Sequence, residues 1–114
     1  MACIFCDIIA GKQNACIVYE DAFVKGFYDI HPKAPVHVLV VPKVHIESVA
    51  HLKGDEDKIV TGLIYAAKKV AEEEGLRGYK LMINVGADAG QVVPHLHLHL
   101  LGGPQDSLAK VSVV

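Results

Sequence analysis

Histidine and cysteine are the residues of this chain with most chemistry to offer near neutral pH, and both are grouped. The clearest group is His95-Leu96-His97-Leu98-His99-Leu100-Leu101. Strict alternation of polar and apolar side chains is the period of a half-buried β-strand, so three imidazoles share one face and the leucines the other. Imidazole can serve as base, acid, nucleophile or metal ligand near pH 7. At ~3.3 Å per residue the Cα atoms of His95 and His99 stand about 13 Å apart. One ion held at ~2.0–2.1 Å by all three rings would force both outer side chains to lean fully inward. Two readings stay open: neighbouring rings sharing an ion, or rings with separate duties. In the second, one imidazole attacks an electrophile while its neighbour supplies a proton or stabilises charge. Phosphorus suits that division, since phosphoryl and nucleotidyl transfer depend on positioning and charge stabilisation. Asn84 and Gly90-Gln91 precede the histidines and could add neutral donors, whereas no Walker A or Gly-x-Gly-x-x-Gly sequence occurs.

The second group is the Cys3-x-x-Cys6 pair. Two thiols at that spacing chelate a soft ion or form a redox couple, and no βαβ pattern supports the redox use. Cys16 reads as a plain core cysteine.

The elements that must carry these groups follow from periodicity and punctuation. Ile4 to Ala10 fits a short helix with Gly11 behind it. Ile17 to Glu20 and Phe23 to Asp29 read as strands joined by a tight turn at Asp21-Ala22. Ile30 to Pro35 holds two prolines and must be a loop, and Val36 to Val41 is a strongly β-branched strand ended by Pro42. The spacing of Ile59, Leu63, Ala66, Ala67 and Val70 predicts a helix from Asp55 to Glu74, with acidic residues to cap its start and Gly75 to end it. Glu72 to Glu74 form a solvated face of it. Tyr79 to Val85 reads as a strand, residues 86–90 as a loop, and Gly102-Gly103-Pro104 as the stop after the histidine strand. Consecutive strands around one long helix favour an antiparallel α+β domain spanning residues 1–114.

Composition narrows the setting. A 114-residue chain with a formal net charge of −2 and no Lys/Arg-rich run is not expected to bind a nucleic-acid polymer. The longest apolar stretch, Val36 to Val41, is far too short to span a bilayer, and the first residues do not read as a signal peptide. Three cysteines are too few for a disulfide scaffold. The expected setting is the cytoplasm, with the nucleus added if the source is eukaryotic, and no membrane partner.

The histidine stretch resembles the His-φ-His-φ-His-φ-φ signature of the histidine triad (HIT) family of nucleotide hydrolases and transferases. The likeness extends through Ile4-Phe5, Phe27-Tyr28-Asp29-Ile30, Ala34-Pro35-Val36-His37, Val41-Pro42-Lys43-Val44-His45, Asn84-Val85-Gly86 and Gly90-Gln91. It is nearest the adenosine phosphoramidase branch. The resemblance implies an antiparallel sheet of about five strands with one long and one or two short helices. It implies a homodimer with one continuous ten-stranded sheet, and attack on the α-phosphate of a nucleotide conjugate through a nucleotidyl-histidine intermediate. Carried over by residue, His97 is the nucleophile, His99 contacts phosphate and helps the leaving group, and His37 is a fourth histidine of the site. Asp29 would hold the ribose hydroxyls, with Ile4, Phe5, Ile8, Phe27 and Ile30 around a purine ring. Asn84, Gly90, Gln91 and Val92 would surround the phosphate of an AMP or GMP conjugate. Val92 stands where that branch commonly has a phosphate-contacting serine, and Pro104 to Val114 lack the Trp-containing end of animal members.

With His97 and His99 so occupied, His95 joins His45, Cys3 and Cys6 as a two-thiolate, two-imidazole set, which resembles the closed structural zinc site of many microbial relatives. No catalytic cofactor is implied. Two other functions compete: a zinc hydrolase in which His95 and His97 hold a water-activating ion, and a nucleotide sensor or scaffold with vestigial hydrolysis.

Overall fold

A computed structural model describes residues 3–103 of the chain. The expectations placed on Pro104 and the tail after it lie outside the described residues.

Five strands form one antiparallel sheet: β1 (Ile17–Glu20), β2 (Val24–Tyr28), β3 (Val36–Pro42), β4 (Tyr79–Met82) and β5 (Leu98–Gly102). Their order across the sheet is β1-β2-β3-β5-β4. The β1–β2 turn is closed by the Asp21 carboxylate, which accepts the backbone N–H groups of Phe23 and Val24 at 2.8 and 2.9 Å. Such a side-chain turn needs a short acceptor, which aspartate supplies.

Two helices cover opposite faces. Helix α2 (Asp57–Glu73) presents Leu63, Ala66, Ala67, Val70 and Ala71 to Val24, Val38, Val40, Leu96, Leu98 and Leu100. Helix α1 (Ile4–Ile9) lays Phe5 and Ile8 against Phe27, Leu39 and Val41 on the other face. The period-two pattern therefore sorts the chain: Leu96, Leu98 and Leu100 go to the α2 face, and the histidines, with Leu101, to the α1 face. Leu100 is fully buried and faces Val38 and Leu81 across the ladders. Leu100→Ala should therefore cost about 2–5 kcal/mol of unfolding free energy with an unchanged denaturant slope. A loss below about 1 kcal/mol would mean that the leucine face is not the core.

Several boundaries differ from expectation. The long helix starts at Asp57, and its acidic start does not cap it: the Glu56 carboxylate turns back to accept the N–H groups of Lys53, Gly54 and Asp55. Its far end is as expected, with Gly75 at φ +70° and its N–H on the Glu72 carbonyl. Strand β4 stops at Met82, because residues 83–85 leave the ladder for the loop before the histidines. Strand β5 starts only at Leu98. Ahead of it, the Leu96 N–H goes to the Ile46 carbonyl at 2.6 Å, so the chain there is tied to the loop after β3. At the other end Gly102 is still in the strand, where a Cβ would sit 2.3 Å from the Leu76 side chain. Pro42 likewise belongs to β3, opposite Val24. No helix among the described residues is long and apolar enough to cross a membrane.

Candidate active site and the adjoining thiol–imidazole cluster

His97 lies just ahead of β5 on the α1 face and is 7% exposed. Its Nδ1 stands 2.7 Å from the His95 carbonyl oxygen. A carbonyl only accepts, so Nδ1 carries the proton and the Nε2 lone pair is left for other work. Phe5 packs edge-on against the ring at 5.1 Å between centroids and fixes its plane. Burial holds the imidazole below the usual histidine range, against the upward pull of the His95 carbonyl and Asp29. A buried, neutral ring with one nitrogen anchored is a nucleophile held in a single tautomer.

The other two histidines form a directed chain. The Lys33 backbone N–H donates to His37 Nδ1 at 3.1 Å, so the His37 proton sits on Nε2. That N–H is 3.0 Å from His99 Nδ1 and 3.5 Å from the Asp29 carboxylate, both acceptors. His99 therefore bears its own proton on Nε2. Register explains the meeting: Leu39 is opposite His99 in the β3–β5 ladder, and His37 is two residues along on the same face. Burial, then the neighbouring His97 and His37, push His99 down to about 4. Burial likewise lowers His37, against Asp29. These rings are therefore neutral donors, and a phosphate beside them favours the protonated form.

Asp29, His37 and His99 also lie close enough to suggest a metal triad. The tautomers argue otherwise, since the His37 nitrogen nearest the other two carries a proton where a ligand needs a lone pair. This trio is a proton-bearing chain. His95 is turned away from it, so a catalytic ion shared by His95 and His97 does not fit the geometry either.

His37, His97 and His99 open into a cavity of about 660 Å³. Of the residues expected around a nucleotide, Ile4, Phe5, Ile8, Phe27, Asp29, Ile30, Asn84, Gly90 and Val92 line it. Ile30 and Val92 stand at its rim, 77% and 89% exposed. Asp29 turns one carboxylate oxygen to the His31 N–H at 2.8 Å and the other towards His37. Asn84 donates to the Ala89 carbonyl and so braces the loop that holds Gly90 at φ +88°. Gln91 is a correction: it does not line the cavity. Its amide accepts from the Gly86 N–H and donates to the Glu47 and Val93 carbonyls, leaving no donor for phosphate. Gln13, Asn14, Lys33, Leu39 and Met82 line the cavity without having been anticipated. Leu39 was recoverable, being two residues from His37 on one strand. Met82 depends on its pairing with His99, which no local pattern reveals.

Behind His97, Cys3, Cys6, His45 and His95 converge, with their four ligand atoms within 4.8 Å of one another. His95 Nε2 donates to the Pro42 carbonyl at 2.9 Å, which turns the Nδ1 lone pair into the cluster. There it lies 3.4 Å from Cys3 Sγ, 3.6 Å from Cys6 Sγ and 3.1 Å from His45 Nδ1, while Cys6 Sγ to His45 Nδ1 is 3.2 Å. A tetrahedral ion with nitrogen and sulfur ligands at ~2.0–2.3 Å would have edges of ~3.3–3.8 Å. The donor set fits such an ion, with the carbonyl fixing the His95 tautomer as an outer partner. Cys3 and Cys6 are free thiols. Cys16 is exposed, which corrects its reading as a core cysteine.

Comparison with known proteins adds the following. The family described as "HIT domain" matches residues 10–106. The chain is 40% identical over 102 residues to the purine nucleoside phosphoramidase of Escherichia coli K12, covering 88% of this chain and 86% of that protein. Among solved structures, a HIT family hydrolase from Legionella pneumophila superposes with a TM-score of 0.89 at 43% identity, covering 91% of this chain and 95% of that one. A Zn-bound histidine triad family protein from Mycobacterium smegmatis gives 0.81 at 32% identity, covering 92% and 77%.

Proposed function

The chain belongs to the HIT family, and on that premise we propose that it is a hydrolase of purine nucleoside phosphoramidates or related nucleotide conjugates, cut at the α-phosphate through a nucleotidyl-histidine. The observation that carries the reading is the His97 tautomer: Nδ1 is anchored, which leaves the Nε2 lone pair free on a ring that lines the cavity. In the first step His97 Nε2 bonds to the α-phosphorus, the P–N bond to the leaving amine breaks, and the amine takes a proton delivered through His99. The positive charge that develops on the His97 ring is stabilised by the His95 carbonyl at Nδ1. Water then gives a proton to His99, which restores the one delivered in the first step, as its oxygen bonds to phosphorus; the P–N bond to His97 breaks, and the nucleoside monophosphate leaves.

Asp29 suits the ribose hydroxyls as a two-acceptor group. The apolar wall of Ile4, Phe5, Ile8 and Phe27 suits a flat base. Zinc is the proposed ion of the Cys3, Cys6, His45 and His95 set; bound there it would be closed and structural, without an open position for chemistry. The reading extends to a homodimer continuing the sheet, in which an edge strand of the order β1-β2-β3-β5-β4 pairs with its copy. A cytoplasmic location is part of the same proposal.

The test is a quenched single turnover of adenosine 5′-phosphoramidate read by intact-protein mass. A nucleotidyl adduct that forms and decays at the rate of AMP release is the expected result. Adenosine 5′-phosphoramidate left intact, with AMP bound tightly, would move the protein to the sensor class.

A further inference from the structure

A nucleotide in this cavity leaves open which base it carries. Resting on that reading, we propose that Gln13 and Asn14 read the exocyclic edge of the base and select the 6-amino group of adenine. The cavity crosses the sheet from His99 on β5, past Leu39 on β3 and Phe27 on β2, to residues 13–15 just ahead of β1. Three strand spacings make that span about 14 Å, the order of the length of an extended nucleoside monophosphate. With phosphorus at His97, the far edge of the base therefore arrives at Gln13 and Asn14.

Ile8, Phe27 and Leu39 can hold an aromatic ring by burial, but they cannot tell one purine from another. Discrimination needs a donor and an acceptor at the rim. Asn84 spends a donor on the Ala89 carbonyl of its own loop, and Gln91 donates to the carbonyls of Glu47 and Val93. The side chains of Gln13 and Asn14 make no hydrogen bond to any described residue. Their backbone is nevertheless held: the N–H groups of Lys12 and Gln13 both go to the Asp7 carbonyl, at 2.8 and 3.2 Å, which ties the segment to the end of α1. The main chain thus holds the segment as far as Gln13, with Asn14 next to it, and both side-chain amides are open.

An amide offers one donor and one acceptor side by side, which complements the amine and adjacent ring nitrogen of adenine. A purine without the amine keeps its stacking and its phosphate contacts and loses only this pairing. Because both amides are exposed and hydrated beforehand, the gain is that of one or two exposed hydrogen bonds, about tenfold in affinity.

The experiment compares kcat/KM for the 5′-phosphoramidates of adenosine and of purine riboside, which lacks the 6-amino group. It uses the wild-type protein and the double variant Gln13→Leu with Asn14→Ala. The expected wild-type preference for adenosine is about tenfold, carried by KM, falling to about one in the variant. The ratio is its own control, since partial unfolding lowers both rates together. A wild-type ratio near one, or a preference that survives in the variant, overturns the proposal. Calorimetry with AMP and purine riboside 5′-monophosphate gives the same ratio if turnover is too slow to follow. AMP that fails to bind overturns the nucleotide reading itself, and this inference with it.

Discussion

His97→Ala is expected to lower kcat/KM for adenosine 5′-phosphoramidate by at least about 10³–10⁴-fold, with AMP affinity changed by less than about threefold. Three features of the site support so large and so selective an effect. First, the imidazoles beside His97 are otherwise engaged: His37 directs its Nε2 proton to His99 and Asp29, His99 carries its own proton on Nε2, and His95 is turned to the thiols. Second, the alanine deletes a ring that packs on Phe5 without deleting Phe5, so the apolar wall for the base remains. Third, the only hydrogen bond lost to the backbone is Nδ1–H to the His95 carbonyl. The adduct seen by mass should vanish with the activity. His99→Ala gives the contrast, because it removes proton delivery and keeps the nucleophile: adduct formation should slow without being abolished. If His97→Ala weakened AMP binding in proportion to turnover, the residue would be holding the site together and would not be the attacking group.

The pH dependence of stability follows from the same burial. His99 titrates at about 4 in the free protein, so its neutral form persists well below the ordinary histidine range near 6.5. Its stabilising share has the sign of a depressed histidine. It is fully present above pH 6.5 and lost as pH falls towards 4, where the folded chain refuses a proton that the unfolded chain accepts.

What the sequence disclosed and what it hid follow one physical division. The histidine–leucine alternation is a local property, since side chains of an extended chain alternate whatever they pair with. That made the two faces legible, along with the long helix and the strand Val36 to Val41. Cys3 and Cys6 were legible as a pair for the same reason, while their partners His45 and His95 came only through resemblance. Register is not local. His37 meets His99 because β3 and β5 pair with Leu39 opposite His99, and nothing in either segment alone fixes that offset. Gln91 was misjudged because its partner is the carbonyl of Glu47, 44 residues away. Gln13 and Asn14 were passed over because, taken in sequence, they are ordinary loop residues; only the cavity gives them a role.

Removing the proposed zinc from the Cys3, Cys6, His45 and His95 set is expected to be the second large effect, and to appear first in stability. Helix α1 is only six residues long, well below the ~12–15 residues at which an isolated helix becomes even marginal in water. It is held by Phe5 and Ile8 below and by the cysteines at its start, where Cys3 also accepts the Cys6 N–H at 3.4 Å as the cap. An ion at 1,000 times its Kd would contribute about 4 kcal/mol, or a Tm shift of about 15 °C or more at this chain length. Stripping the reduced protein with a strong chelator should produce that fall, and adding Zn²⁺ back should reverse it. Cys6→Ser should show the low Tm from the outset and no further response to chelator. Nucleotide affinity should weaken in step, because α1 carries Ile4, Phe5 and Ile8 into the cavity and His95 anchors the His97 ring. A water-activating ion predicts the opposite order, with activity lost at a chelator concentration that leaves Tm untouched. A reduced protein that binds no Zn²⁺ and keeps its Tm would reduce the cluster to a pair of buried thiols beside two imidazoles, with α1 held by its apolar face alone.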